Sequence, residues 1–196
     1  MGEITTSYSG GTPAISNKKL YGGEIPFIRS SEINSKKTEL SLSELGLRNS
    51  SAKLVRKGMI LYALYGATSG EVGISRINGA INQAILAIQP SEGYISGFIA
   101  QWLKLNKQRI VSKYLQGGQG NLSGTIIKKL SIIIPKKEEQ IKVCESLQNI
   151  DTTIALHQRN QKGLQNRGPP IKTINLYTFL YQTRQMFHNF IVILVL

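Results

Sequence analysis

The pattern of residues 136–167 predicts one long helix with a seam along one side. The seam residues alternate spacings of four and three, which is the heptad repeat of coiled coils. They are Val143, Leu147, Ile150, Ile154, His157, Gln161 and Leu164. Glu138 and Glu139 suit the positive N-terminal end of a helix, and Gly168-Pro169-Pro170 ends it. We expect this surface to pair with another helix.

The seam becomes polar at His157 and Gln161, and two interpretations stay open. Polar residues at these positions are typical of a helix that frays near its end. A buried polar seam position can also select the register of a helix pair.

Ahead of that helix, residues 1–135 predict short elements separated by glycine and proline turns. Strands are expected at 27–29, 59–63, 72–75 and 84–88, with a buried last strand at 131–134. Helical spacing predicts a helix within 93–115, with Trp102 in the core, and weaker helical character over 38–50. The predicted fold class is α+β: a β-rich globular domain with peripheral helices, followed by one long coiled-coil-type helix.

A tight turn is expected at Gly10-Gly11-Thr12-Pro13. Glycine tolerates positive φ, and Pro13 biases Thr12 toward extended geometry.

Residues 168–196 differ from the chain before them. They contain no acidic residue and end in an apolar run at 190–196. That run is only seven residues long, whereas a membrane-spanning helix needs about 20. The predicted division is therefore a globular domain at 1–135, a pairing helix at 136–167 and an atypical tail at 168–196.

Positive charge is spread over the whole chain. The sequence has 24 lysines and arginines against 11 acidic residues, a net charge of +13. Because no single tail holds the excess, we expect the folded body to attract a polyanion, nucleic acid above all. The alternatives are a charge that serves solubility and a ribosome-like, unspecific adhesion.

The residue patterns of catalytic and metal sites are missing. Cys144 is the only cysteine, Asp151 is the only aspartate, and the glutamates lack the paired context of a metal-dependent nuclease. His157 and His188 are isolated, and no nucleotide-binding glycine motif or phosphate loop occurs. The sequence thus predicts no catalytic residue, metal or cofactor. With no signal peptide at its N-terminus, the chain is expected in the cytoplasm.

Six loop motifs follow one another in a recognisable order. They are Ser9-Gly10-Gly11-Thr12-Pro13, the run Gly-Gly-Glu-Ile-Pro-Phe-Ile-Arg-Ser-Ser-Glu-Ile at 22–33, 57–61, Gly66-Ala67-Thr68-Ser69-Gly70, 81–84 and 117–122. The segments 132–135, 139–141 and 147–151 continue the pattern as a junction between a strand and a helix. Over residues 4–167 the chain resembles a target recognition domain, with one spacer helix, from the specificity (S) subunits of type I restriction–modification systems.

The chain departs from that family in two respects. The usual first strand is nearly absent, because only eight residues precede Ser9. A full subunit also has two recognition domains and two helices, whereas this chain has one of each. It is therefore interpreted either as a half-subunit that pairs with another copy or as a fragment.

The resemblance implies a non-catalytic subunit that reads DNA. In that family each recognition domain reads half of a split target, and antiparallel helices hold the two domains apart. The implied partners are double-stranded DNA, an adenine methyltransferase subunit, a motor–nuclease subunit and, through the long helix, a second copy or second recognition domain. The methyl donor and ATP would belong to the partner subunits. The alternative is a truncated interaction protein that binds the methyltransferase subunit through its helix without specific DNA binding.

Two sets of side chains are the predicted DNA contacts, one for base edges and one for phosphates. The base-reading set is Arg29, Ser30, Tyr65, Thr68, Asn82, Gln83, Gln119 and Asn121. The phosphate set is Lys18, Lys19, Lys36, Lys37, Lys104, Lys107, Arg109 and Lys113. The alternatives are structural: Asn82 and Gln83 cap a turn, Tyr65 packs, and the lysines form a solvated face.

Overall fold

A computed structural model of the protein describes residues 1–115 and 121–165, and within the last helix it describes no side chain at 157, 158 or 160–165. The chain divides into two compact units, Met1–Ser131 and Ile132–Leu196. The predicted boundary after residue 135 stays a prediction, and the predicted tail at 168–196 lies outside the described residues.

The first unit contains eight strands and four helices among its described residues. The strands are β1 (Thr5–Ser9), β2 (Tyr21–Ile28), β3 (Leu40–Leu42), β4 (Lys53–Val55), β5 (Ile60–Ala63), β6 (Val72–Ile74), β7 (Gly79–Ile81) and β8 (Ile85–Pro90). The helices are α1 (Glu44–Arg48), α2 (Ser96–Leu105), α3 (Lys107–Leu115) and α4 (Gly124–Lys128). Short 3-10 turns occupy Lys18–Leu20 and Ser30–Glu32.

The strands form two four-stranded sheets. One has the order β1-β8-β5-β6 and is antiparallel throughout, and the other has the order β3-β2-β7-β4 with β2 and β7 parallel. The two sheets share one apolar core, because Leu61 and Ile85 of the first sheet cluster with Ile28, Val55 and Ile81 of the second. Burial of these branched side chains is the main stabilising contribution to the unit.

Helices cover the other face of the antiparallel sheet. Helix α2 packs against β6 and α4 against β1, and all four residues of β5 are buried. This double coverage explains why β5 and residues 85–88 of β8 are continuous buried runs, where a half-exposed strand alternates. Trp102 is buried on α2, so its predicted place in the core is confirmed.

The prediction that the first strand is nearly absent is wrong. Strand β1 is five residues long and pairs with β8 from Thr5 opposite Pro90 to Ser9 opposite Leu86. Its side chains are mostly polar, so no apolar periodicity marks it. The hydrogen bonds offered by the free edge of β8 make it a strand.

The predicted last strand at 131–134 is also wrong. These residues are irregular, and the side chain of Ile133 is 52% exposed. An apolar, β-branched run has the local preference for a strand, but a strand also needs a neighbour for its backbone groups. No described strand pairs with this run.

In two regions that are predicted as helical, the structure differs in detail from the prediction. Over 93–115 the chain forms two helices, because α2 ends at Asn106, whose side-chain Nδ2 donates to Trp102 O at 2.9 Å. Over 38–50 the chain forms β3 and then α1. The Ser43 hydroxyl starts α1 by accepting a hydrogen bond from Gly46 N at 3.1 Å, as an N-cap does.

The second unit carries the predicted long helix, α5 (Lys137–Gln165). Glu139 caps its start, since its Oε2 accepts a hydrogen bond from Lys136 N at 3.1 Å. The predicted seam residue Leu147 is buried, and Val143, Ile150 and Ile154 are half-buried. The other predicted seam side chains, His157, Gln161 and Leu164, lie outside the described residues. None of the helices described is long and apolar enough to cross a membrane.

The prediction of a tight turn at Gly10 and Gly11 is wrong. Neither residue has positive φ, which occurs instead at glycines 22, 58, 66, 70 and 93. Glycine is required at 10 and 11 because the backbone passes too close to its neighbours for a side chain. A Cβ on Gly10 would overlap the carbonyl oxygen of Ile81, and one on Gly11 would lie 2.6 Å from Ser51 Cβ.

This close approach predicts a strong effect of Gly10→Ala. We expect it to lower the free energy of unfolding by about 3 kcal/mol, because the backbone of β7 must move to admit a methyl group. The matched control is Gly22→Ala, where φ is +79° but nothing lies within 4 Å of the new Cβ. The control should lose only about 1–2 kcal/mol, the cost of the left-handed backbone. Urea unfolding of both variants measures the difference, and equal losses would contradict the close approach.

Candidate nucleic-acid interface

Three of the loop motifs, and Leu64 just ahead of a fourth, are joined by backbone hydrogen bonds. Gly10 N donates to Asn82 O at 3.2 Å, Leu64 N donates to Ala84 O at 2.8 Å, and Leu122 N donates to Leu64 O at 3.0 Å. These segments are far apart in the chain, so the fold brings them together. Their polar side chains therefore lie on neighbouring loops, as a binding surface requires.

The central loop of this group joins β5 to β6. Gly66 and Gly70 both have φ of +79°, which permits its tight path. A Cβ added to Gly70 would lie 2.7 Å from Val111 Cγ2 on α3, so α3 packs closely against this loop. That packing places Lys107 beside Glu71, and Lys107 Nζ lies 2.5 Å from Glu71 Oε1.

Gln83 is bonded to the first glycine motif by its side chain and lies near a second loop. Thr12 Oγ1 donates to Gln83 Oε1 at 2.6 Å. Burial raises the pKa of Tyr65, and the nearby Gln83 amide partly opposes that rise. Gln83 itself is exposed, and Tyr65 is half-buried. Two predicted base-reading residues thus lie close together.

The neighbouring Asn82 has a structural role. Its Oδ1 accepts a hydrogen bond from Ala84 N at 3.1 Å, which closes the turn into β8. Its carbonyl oxygen receives Gly10 N. The contacts of Asn82 therefore agree with the alternative that it caps a turn. Its base-reading role stays a prediction.

A groove of about 550 Å³ runs beside these residues. It brings Lys18, Arg29 and Asn82, three predicted DNA contacts, together with Thr12. Apolar side chains form part of its wall: Ile15, Tyr21, Phe27 and Leu40. A cation, hydrogen-bonding groups and an apolar wall are all available within one groove.

Arg29 reaches this groove with its charge already paired. Its Nε lies 3.2 Å from Glu32 Oε2, and its Nη2 pairs with Glu39. Hydrogen bonds to both carboxylates raise the pKa of Arg29. Burial acts to raise the pKa of Glu32, but the bonds from Arg29 and from backbone amides outweigh it and lower that pKa. A bidentate contact from Arg29 to guanine would have to replace these carboxylates.

The other predicted base-reading residues lie on the same loops or outside the described residues. Ser30 is half-buried in the 3-10 turn after Arg29, Thr68 is half-buried in the β5–β6 loop, and Asn121 is exposed next to Leu122. Gln119 lies outside the described residues. No structural observation tests their role, so they stay predictions.

The predicted phosphate-binding cations come from three regions. They are Lys18 and Lys19 in the first 3-10 turn, Lys36 and Lys37 ahead of β3, and Lys104, Lys107, Arg109 and Lys113 on α2 and α3. All are exposed except Lys107, which is half-buried beside Glu71. An exposed lysine is compatible with a phosphate contact and with a solvated face, so these roles stay predictions.

Sequence reasoning missed three participants: Thr12, Glu32 and Glu39. Thr12 lies within the first glycine motif and Glu32 within the second, so motif membership was an available signal for both. Glu39 carried no local signal, because only the fold brings it to Arg29. Within the described residues, no three His, Cys, Asp or Glu side chains are grouped to hold a metal ion.

The contacts of Asn82 and Gln83 predict that Asn82 stabilises the fold and that Gln83 does not. We expect Asn82→Ala to lower the free energy of unfolding by about 1 kcal/mol, since it leaves the turn amide of Ala84 without its acceptor. Gln83→Ala should change it by less than about 0.5 kcal/mol, because that side chain is exposed. Asn82→Asp keeps the acceptor oxygen and serves as the control. Thermal unfolding measures all three, and equal losses at 82 and 83 would refute this prediction.

Comparison with known proteins identifies the family. Residues 1–166 match the type I restriction modification DNA specificity domain. The MjaIX specificity subunit of Methanocaldococcus jannaschii is 28% identical over 165 residues, covering 79% of this chain and 37% of that subunit. The HindI specificity subunit of Haemophilus influenzae is 32% identical over 139 residues, covering 66% of this chain and 29% of that subunit. The chain thus spans well under half of either relative.

Solved structures agree on the fold. The HsdS subunit of Thermoanaerobacter tengcongensis superposes with a TM-score of 0.65 at 17% identity, covering 97% of this chain and 43% of that one. The S subunit from M. genitalium superposes with a TM-score of 0.58 at 14% identity, covering 97% of this chain and 44% of that one. The predicted α+β class with one long helix is confirmed. By its residues 1–166, and as its loop order predicted, the chain is a member of the type I restriction–modification DNA specificity family.

Proposed function

We propose that the chain reads a DNA sequence and directs adenine methylation and restriction by partner subunits to one half of a split target. The observation that carries this proposal is the meeting of the loops at Gly10, Leu64, Asn82 and Leu122 beside a groove that combines Lys18, Arg29 and Asn82 with apolar side chains. Family membership supports it. The net charge of +13 supplies the attraction to DNA.

The two predicted sets of contacts divide the work. Exposed lysines and arginines on the first 3-10 turn and on α3 neutralise phosphates. They set the position of the domain on DNA without carrying sequence information. The loop side chains around Gln83 meet base edges and discriminate among them. Affinity then falls steeply with salt, while the base preference stays the same.

The chemistry takes place on other subunits in this proposal. The chain contributes no catalytic residue and no cofactor, and the methyl donor and ATP are held by an adenine methyltransferase subunit and a motor–nuclease subunit in the cytoplasm. A second copy or second recognition domain completes the target by pairing through α5, and the chain spans 37% and 29% of the two relatives named above.

The test combines the chain with the methyltransferase subunit and selects bound DNA from a random library. We expect one short, two-part sequence to be enriched, and methylated adenines to fall within it when the complex acts on whole genomes. A complex that assembles but enriches no sequence would overturn the proposal. That result would favour the truncated interaction protein, which binds the methyltransferase through its helix alone.

The Lys107–Glu71 pair predicts a gain of DNA affinity. We expect Glu71→Gln to release Lys107 for a phosphate, which would strengthen binding and steepen the slope of log affinity against log salt by about 0.9. Stability should change by less than about 0.5 kcal/mol, because both side chains of the pair are partly accessible to solvent. Glu92→Gln removes the same charge from the loop before α2 and is the control. An equal change of slope in both variants would contradict a specific role for Lys107.

A further inference from the structure

The side-chain amide of Gln83 lies beside hydroxyl groups of two different loops. Thr12, from the first glycine motif, donates a hydrogen bond to its Oε1 at 2.6 Å. Tyr65, two residues after β5, lies close enough for the Gln83 amide to act on the pKa of its hydroxyl. Gln83 is nevertheless exposed. An exposed glutamine normally samples several rotamers, so the bond to Thr12 indicates a solvent-facing side chain held for a ligand.

The hydrogen-bonding capacity left on this amide defines the ligand. A glutamine amide has two N–H donors and two acceptor lone pairs. The bond to Thr12 uses one of these groups, so at least one N–H and one lone pair remain even when the amide also bonds the Tyr65 hydroxyl. Both hydroxyls can donate or accept, so a donor and an acceptor are left over whichever way the amide is turned.

One donor beside one acceptor matches the major-groove edge of adenine. Adenine offers N7 as an acceptor and its N6 amino group as a donor, and a glutamine bonds both. Guanine offers two acceptors there and cytosine only a donor, so neither satisfies the pair. Because the amide is held before DNA arrives, it loses little conformational entropy on binding.

Two neighbouring candidates are less free to make this contact. The Oδ1 of Asn82 is engaged by Ala84 N in the turn. The guanidinium of Arg29 pairs with Glu32 and Glu39. Gln83 is exposed, and its bond to Thr12 leaves a donor and an acceptor available.

We propose that Gln83 reads one adenine of the target by a bidentate contact in the major groove, and that Thr12 is the positioning residue that holds its amide. This inference rests on the proposed DNA-reading function. It adds the base, the atoms and the residue that orients the contact.

The experiment selects DNA from a random library with the full chain and its methyltransferase subunit, using wild type and Gln83→Glu. Wild type should require adenine at one position, with other bases bound about 5- to 150-fold more weakly there. A carboxylate repels adenine N7 and accepts from cytosine N4. We therefore expect Gln83→Glu to change that one position from adenine to cytosine and to leave the others unchanged.

The positioning residue has its own readout. Thr12→Val should weaken the adenine preference at the same position without creating a new one, and Thr12→Ser, which keeps the hydroxyl, should restore it. Thr12 is exposed, so both variants are expected to fold.

Three outcomes would count against these assignments. An unchanged enriched sequence with Gln83→Glu, or a change at a position where wild type does not select adenine, overturns the role of Gln83 while DNA reading itself stands. A wild-type complex that enriches no sequence overturns the DNA-reading function and this inference together. Thr12→Val that matches wild type at the adenine position overturns the positioning role.

Discussion

The candidate DNA-contacting surface, formed by the loops at Gly10, Leu64, Asn82 and Leu122, depends on how closely the backbone at Gly10 and Gly11 approaches β7 and the segment before β4. No side chain fits there, since a Cβ on Gly10 would overlap the Ile81 carbonyl. The approach brings Thr12 to Gln83 and allows Gly10 N to bond Asn82 O. A main-chain bond from Leu122 to Leu64 adds a further loop. The scaffold beneath is two sheets that share an apolar core, so the loops rest on rigid strands.

The electrostatics of the surface are less uniform than a net charge of +13 implies. Arg29 is paired with Glu32 and Glu39, and Lys107 with Glu71. These carboxylates orient two cations and reduce their attraction for phosphate. Around Gln83 the contacts are neutral hydroxyls and amides. Neutral groups with defined donors and acceptors distinguish bases, whereas unpaired cations attract any DNA.

Local errors in the sequence interpretation share one cause. The run 131–134 has strand-forming residues but no described partner strand, and β1 has a partner but little apolar pattern. Both outcomes are decided by long-range pairing, which local preference does not report. Gly10 and Gly11 suggest a turn because glycine is common in turns. Their actual role is steric, and it depends on Ile81 and Ser51, which are distant in the chain.

Patterns that are written along the chain can be read from the amino-acid sequence alone. The order of the glycine motifs identifies the family, and the period of the apolar residues predicts α5. Each motif and each helical turn consists of residues that are close in sequence. The contacts of the site cannot be read in this way. That Glu39 meets Arg29 and that Thr12 meets Gln83, 71 positions later, follows from how β2, β3, β7 and β8 are arranged in space. Side-chain chemistry is a local property, but its geometry is set by packing between distant segments.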